Sequence, residues 1–310
     1  MGTTFSKVDG QPDYTVELQF SSSIPIQSVV AAAEAAGQSI LQIYKSEASK
    51  WDVQLKSDNS PLTRADSAAN QIICDELTRL TPHIPIISEE NAIKPYEVRQ
   101  NYQYHWLVDP LDGTKEFLKR NGEFTVNIAL VTNGIPVLGV VHVPCQAKTY
   151  WAVKGKGAWL QTSQTQTQFQ AAEFGLDDPG LRIVASSSHL SKETEEFVSL
   201  FDSPEFVQVG SSLKMIMVAE GLAHMYPRLA PTCEWDTAAA DIIVREAGGV
   251  VLQAGVCNSE GKALEDWRKA LIAEQPMVYN KKNMLNPFFV VFGRRRGAPP
   301  EAEANSNGNR

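Results

Sequence analysis

A chain of 310 residues, 43% of them apolar, can hold one large domain or two ordinary ones and has ample material for a core. Its net charge of -8 excludes a sequence-independent grip on polymeric nucleic acid, which needs clustered Lys and Arg to neutralise phosphates, but allows a small phosphorylated ligand held through metal ions. The cysteines Cys74, Cys145, Cys233 and Cys257 lack CxxC or disulfide-dense spacing and read as reduced thiols of a cytoplasmic protein, and no apolar run approaches the roughly 18 residues that span a bilayer.

Residues 1–21 are polar and irregular, predicting a flexible tail without a secretory signal. Met1-Gly2 with Ser6 fits the short N-myristoylation pattern, which would add no more than peripheral attachment at the inner face of a membrane. Val29, Val30, Ala33, Ala36, Ile40, Leu41 and Ile43 recur at helical spacing, so Ile24 to Tyr44 reads as a long amphipathic helix. Lys56 to Pro61 is turn-like, and a second helix begins near Thr63 with Ala68, Ala69, Ile72, Ile73 and Leu77 facing inward. Asp66 lies in its first turn, where a carboxylate complements the helix dipole. Ile84 to Ile87 is a short strand breaking into Ser88-Glu89-Glu90, and adjacent glutamates there ordinarily mark a solvated end. A polar loop, Asn91 to Tyr104, follows.

Trp106 to Val108 reads as the end of a buried strand, after which Asp109 and Asp112 flank Pro110 and Leu111. Proline fixes its φ and lacks an N–H, so the chain is expected to leave the ladder in a turn that frees the Leu111 carbonyl. Gly113 permits close approach, and Thr114 puts a hydroxyl where a helix begins. Taken alone, Asp109 and Asp112 read as turn and N-cap residues. Together with the carbonyl and the hydroxyl they are also hard oxygen donors of the kind Mg²⁺ favours.

Phe124 to Val131, Pro136 to Val143 and Thr149 to Val153 are Val- and Ile-rich strands separated by turn residues, predicting an antiparallel meander. The Gln- and Thr-rich run Gln161 to Gln170 predicts an exposed loop or edge hairpin at the boundary between halves. Leu181 to Ala185 is then a strand leading through Ser186 to Ser188 and His189 into a helix, Lys192 to Leu200, a junction where open α/β sheets bind ligands. Phe206 to Val209 is a further strand, and Ser211 and Ser212 open a helix carrying Lys214, an anion-favouring arrangement. Ala223 to Arg228 is a strand ending at Arg228, with Pro227 stopping it. Glu234 to Gly249 is a helix closed by Gly248-Gly249, with Asp236 as its N-cap and Asp241 structural. Val250 to Leu252 and Phe288 to Phe292 are strands, with loop material at Ala263 to Asp266 and Pro276 to Asn280. From Arg294 the chain reads as a solvated tail.

These segments divide the chain into a helix-on-antiparallel-sheet half over residues 22–165 and an α/β half over 175–293, with flexible tails at 1–21 and 294–310. The string DPLDGT, followed by KEF and by FTVNIALV, resembles the metal-binding core of the lithium-sensitive, Mg²⁺-dependent phosphomonoesterases of the inositol monophosphatase superfamily. The KEF continuation and NGEFTVNIAL resemble the CysQ-type 3'(2'),5'-bisphosphate nucleotidase branch in particular. The resemblance covers about residues 25–293 and is weakest in the Gln-rich run. It implies an αβαβα sandwich of the inositol monophosphatase and sugar phosphatase type within the α/β (α+β layered) class.

The resemblance also implies roles. Glu89, with Glu90 as an alternative, Asp109, the Leu111 carbonyl, Asp112 and Asp236 would hold two or three Mg²⁺ ions, Asp236 belonging to the superfamily's WD motif. Glu89 and Thr114, the latter oriented by Asp66, would serve a metal-activated water. Gly113, Thr114, His189, Ser211, Lys214, Arg228 and Asp236 would contact substrate, Lys214 and Arg228 gripping the phosphate that is not hydrolysed. The implied reaction removes the 3'-phosphate of adenosine 3',5'-bisphosphate, with its sulfated precursor as a second substrate, in recycling for sulfate assimilation by a monomer or homodimer. The alternatives are a polyol phosphatase of the inositol monophosphatase kind and a non-catalytic metal- or phosphate-binding protein on the same fold. An inositol monophosphate would leave Lys214 and Arg228 without a second phosphate.

Overall fold

The computed structural model describes residues 14–17, 23–56, 61–185, 192–254 and 275–297. Ser186 to Ser188, His189, Cys257, Ala263 to Asp266 and most of both predicted tails lie outside them. The first half holds β1 (Thr15–Glu17), β2 (Ser23–Pro25), α1 (Ile26–Tyr44), β3 (Gln54–Leu55), β4 (Pro61–Leu62), α2 (Arg64–Leu80), β5 (Ile86–Ser88), α3 (Tyr96–Arg99), β6 (Tyr104–Asp112), α4 (Thr114–Lys119), β7 (Thr125–Thr132), β8 (Ile135–Val143), β9 (Lys148–Val153), β10 (Ala158–Gln161) and β11 (Gln166–Phe169). The second holds β12 (Glu173–Phe174), β13 (Arg182–Ala185), α5 (Lys192–Val198), β14 (Glu205–Gln208), α6 (Leu213–Ala219), β15 (Met225–Arg228), α7 (Glu234–Glu246), β16 (Val250–Gln253), β17 (Phe289–Phe292) and β18 (Arg294–Arg295).

Two sheets organise these elements. A seven-stranded sheet runs β11-β10-β9-β8-β7-β6-β5, antiparallel except for the parallel β5·β6 edge. A five-stranded mixed sheet runs β14-β13-β15-β17-β16. The apolar stripe of α1 (Ile26, Val29, Val30, Ala33, Ala36, Ile40) and that of α2 (Ala65, Ala69, Ile73, Leu77) cover one face of the larger sheet through Trp106, Val108, Ile128 and Val140. Alternate residues of the same strands, Leu107, Ala129 and Val141, face Ile242, Ile243 and Val244 of α7, which also packs on Val251 and Val291. Phe197 and Val198 of α5 close the far side against Ile183, Met225 and Val290. The layers are therefore helix, sheet, helix, sheet, helix. Each fully buried Ile or Phe contributes about 1.5–3 kcal/mol.

The small residues after Asp236 let α7 lie close on the sheet. A Cβ at Gly139 of β8 would come within 2.3 Å of the Ala239 carbonyl oxygen, so a side chain there would force the helix away. That contact sets how closely α7 lies on β8.

Several expected boundaries move. Thr15–Glu17 pairs with Ser23–Pro25 instead of belonging to a tail, and Arg294–Arg295 pairs with Glu173–Phe174, Arg294 reaching Glu173 at 2.6 Å. The strand read as ending at Arg228 does end there, but Pro227 is not what stops it: it pairs in register with Val290. Pro110 does not end β6 either. The ladder skips from Asp109↔Asn127 to Asp112↔Thr125, so Pro110 and Leu111 form a bulge, which spares the missing N–H a partner.

Candidate metal centre and active site

The bulge aims the two aspartates. Asp109 Oδ1 accepts the Leu111 N–H at 3.0 Å, a short-range turn that pins the carboxylate. Gly113 then takes φ 96°, a left-handed conformation that reverses the chain into α4. Thr114 Oγ1 lies 3.2 Å from Asp66 Oδ1 and 3.4 Å from the Leu111 oxygen, and its single hydrogen serves one at a time. Asp66 caps α2 in a capping box, its Oδ2 accepting the Thr63 N–H at 2.8 Å and the Thr63 hydroxyl at 2.6 Å. The dipole role read for Asp66 is thus a cap that also reaches across to Thr114.

Glu89 continues from β5, its N–H donating to the Val108 oxygen at 3.1 Å. Asp236 arrives from the other side, and it is not the N-cap of α7. Cys233 occupies that position, while Asp236 sits at N3 with its Oδ2 on the Cys233 N–H at 2.8 Å. Carboxylate oxygens of Glu89, Asp109 and Asp236 converge within 4.8 Å of one another. Asp112 joins through its field: it is the first of the neighbouring charges that raise the Asp236 carboxyl.

Clustering of this kind is costly for bare anions. Burial, then Glu89, Asp112 and Asp236, lift the Asp109 carboxyl well above the usual range. Burial and then Asp112 push Asp236 up to about 8. Burial also raises Asp112, against the pull of Lys214 and the Ser212 N–H. Lys56 offsets part of the charge, its Nζ standing 2.6 Å from both Glu89 and Glu90. Burial pulls this ammonium down, but the two glutamates more than reverse it. A set of hard oxygens this crowded and this short of cations has the chemistry of a divalent-metal site.

The second half faces this cluster with positive charge. The Lys214 Nζ lies over the Tyr226 ring at 5.8 Å, its ammonium lowered by burial, supported by Asp112 and opposed by Arg228. Arg228 donates to the Pro231 oxygen at 3.1 Å and lowers the Asp236 carboxyl. Ser211, at φ 50°, makes the turn that precedes Ser212, whose N–H donates to Asp112 Oδ2. Asp241 pairs with Arg245 at 2.7 Å and accepts the Tyr279 hydroxyl at 2.9 Å, away from the cluster. His189 lies outside the described residues.

Sequence reasoning passed over Lys56, Thr63, Thr125, Asn127 and Cys233, and placed Ser212 only at a helix start, not on Asp112 and Asn127. Thr63 could have been found by its position ahead of Asp66, as a capping box. Lys56, Thr125 and Asn127 touch their partners only through tertiary contact, and no local spacing marks them.

A family model described as the inositol monophosphatase family matches residues 25–285. The 3'(2'),5'-bisphosphate nucleotidase CysQ of Escherichia coli O157:H7 is 43% identical over 267 residues, 86% of this chain and 98% of the relative. Its namesake from Salmonella typhimurium is 42% identical over 266 residues, 86% and 98% of the two chains. Among solved structures, CysQ from Bacteroides thetaiotaomicron, a bacterial member of the inositol monophosphatase family, matches with a TM-score of 0.71 at 39% identity, over 87% of this chain and 97% of that one. The matched span includes both carboxylate motifs and all five layers, and this chain belongs to the metal-dependent inositol monophosphatase family.

Proposed function

We propose that this chain is a Mg²⁺-dependent 3'(2'),5'-bisphosphate nucleotidase that converts adenosine 3',5'-bisphosphate to AMP and phosphate. The observation that carries the reading is the pair Lys214 and Arg228 set beside the carboxylate cluster, close enough for Lys214 to feel both Asp112 and Arg228. A substrate with one phosphate at the carboxylates and a second on these cations satisfies both, whereas a polyol monophosphate satisfies one. Identity to the CysQ relatives supports the same choice.

Glu89, Asp109, the Leu111 carbonyl, Asp112 and Asp236 would hold two or three Mg²⁺ ions, which when bound acidify a water and neutralise charge on the phosphoryl group and the leaving oxygen. Glu89 accepts the proton that the attacking water gives up. Thr114 Oγ1, with its hydrogen on Asp66 Oδ1, turns a lone pair toward the same water, and Thr63 holds Asp66 in place through the other oxygen. The water oxygen bonds to phosphorus as the bond to the ribose 3'-oxygen breaks in line, and that oxygen leaves as a hydroxyl after taking a proton from solvent. Backbone N–H groups of the Gly113-Thr114 turn donate to the phosphoryl oxygens. Ser211, Lys214 and Arg228 bind the 5'-phosphate, and His189 is a further substrate contact. On this reading the half spanning 22–165 supplies the metal turn and the half spanning 175–293 the anion clamp. The sulfated precursor is a second substrate, and the setting is cytoplasmic recycling.

The test is phosphate release from adenosine 3',5'-bisphosphate and from inositol 1-phosphate, with Mg²⁺ and with chelator, for the parent and Lys214→Ala. Mg²⁺-dependent preference for the bisphosphate is expected, suppressed by millimolar Li⁺. Loss of a charge-assisted contact of about 1.5–3 kcal/mol raises KM for the bisphosphate about 10- to 100-fold in Lys214→Ala. Unchanged turnover in that variant would remove the charge-clamp argument, and no release from either ester would leave a binding protein.

A further inference from the structure

Beneath Asp112 lies a buried polar triangle that links the two halves. The Ser212 N–H donates to Asp112 Oδ2. Ser212 Oγ donates to Asn127 Oδ1 at 3.0 Å and lies 2.7 Å from Thr125 Oγ1. Thr125 Oγ1 reaches Asn127 Oδ1 at 3.1 Å and Asp112 Oδ2 at 3.5 Å. Only two hydroxyl hydrogens serve these contacts, so they operate as a unit: with Ser212 given to Asn127, Thr125 closes onto Asn127, Ser212 or Asp112. Thr125, Asn127 and Ser212 are 0%, 1% and 4% exposed. Asn127 stands opposite Asp109 in the β6·β7 register, which puts its carboxamide on the same face as that carboxylate. Its Nδ2 is buried and unpartnered among the described residues, a donor left open beside the site.

Thr125 and Asn127 belong to β7 of the first half. Ser212 directly precedes α6, and Lys214 is the second residue of that helix. Resting on the function proposed above, we infer that Asn127 is a positioning residue. With Thr125 and Ser212 it latches Asp112 to the helix bearing Lys214, so that an anion on Lys214 and a metal on Asp112 strengthen each other's binding. An anion on Lys214 holds α6 in place, α6 holds the Ser212 N–H on Asp112 Oδ2, and Asp112 Oδ1 is then fixed for a cation. Binding linkage makes the effect reciprocal.

Calorimetric titration of Mn²⁺ into the full chain, with and without saturating adenosine 5'-monophosphate, reads the coupling without the proposed turnover, because that nucleotide carries the 5'-phosphate but no 3'-phosphate to remove. In the parent the nucleotide is expected to lower the Mn²⁺ Kd by about 5-fold or more. In Asn127→Ala and in the nearly isosteric Thr125→Val the factor falls to about one, while nucleotide affinity without metal stays at the parent's value. Thr125→Val carries the comparison alone if Asn127→Ala melts below the assay temperature. No nucleotide effect in the parent overturns the inference, as does coupling retained in full by the variants, which would mean that the nucleotide itself ligates the metal. A parent that hydrolyses the bisphosphate but shows no coupling loses the latch and keeps the proposed function. Latch-dependent coupling in a parent that hydrolyses neither ester keeps the latch and loses that function.

Discussion

At Asp112 three demands meet on one carboxylate. It is partly buried, it accepts the Ser212 N–H, and it lies in the field of Lys214 and Glu89. Asp112→Asn preserves shape and can still accept the Ser212 N–H through its amide oxygen, but removes a charge and a metal ligand. We expect phosphate release to fall by on the order of 10³-fold, the upper range for removal of one preorganised electrostatic group. The fold should survive, and the metal-free melting temperature should not drop, since Asp112 is the leading like charge raising Asp236. Activity close to the parent's would overturn the assignment of Asp112 as a ligand. Residue identity at this site was legible where a short string carried it, as in the Asp109–Thr114 turn. It was not legible for Ser212, whose partner Asn127 lies 85 residues away.

Elements were legible in proportion to how local their causes are. The helices α1, α2 and α7 follow from apolar periodicity, and the β7 to β9 meander from its strands and turns. The ribbon β12·β18 escaped because it pairs segments about 120 residues apart, β1·β2 because each strand is only three residues long, and β6 escaped at Pro110 because a bulge looks like a break until its partner strand is known. The same bulge depends on the glycine that follows it. At φ 96° an alanine Cβ at position 113 would meet the Glu123 carbonyl oxygen at 3.0 Å and Ser211 Cβ at 3.2 Å. Gly113→Ala is therefore expected to cost about 1–3 kcal/mol, read as a lower urea midpoint. It should also lower kcat by displacing Thr114 from Asp66. A midpoint and kcat equal to the parent's would show that the turn has another conformation available.

At the scale of the whole molecule the site is a seam between two sheets, and the charge gathered there sets how metal-free stability depends on pH. Asp109 and Asp236 are raised by burial and then by neighbouring charges, Asp236 to about 8, and Asp112 is raised by burial against the pull of Lys214. Above the ordinary carboxylate range, near pH 4, the unfolded chain has already released these protons while the folded chain still holds them, so stability falls as pH rises toward 8. His105 and His142, buried and lowered to about 4, act in the opposite sense. Below about 6.5 the unfolded chain protonates imidazoles that the folded chain keeps neutral, which taken by itself lowers stability on acidification. Between about pH 4 and 6.5 the two effects oppose each other, and above about 6.5 the carboxylates act alone, so the chelated protein should lose stability from about pH 6.5 toward 8, each unit of displaced titration being worth about 1.4 kcal/mol. Mg²⁺ favours the ionised carboxylates and should flatten the alkaline limb while leaving the acid limb, which belongs to imidazoles elsewhere in the fold. Thermal melts from pH 5 to 9 with chelator and with Mg²⁺ measure both limbs. An alkaline limb unaffected by Mg²⁺ would mean that the cluster of Glu89, Asp109, Asp112 and Asp236 is not where the metal binds.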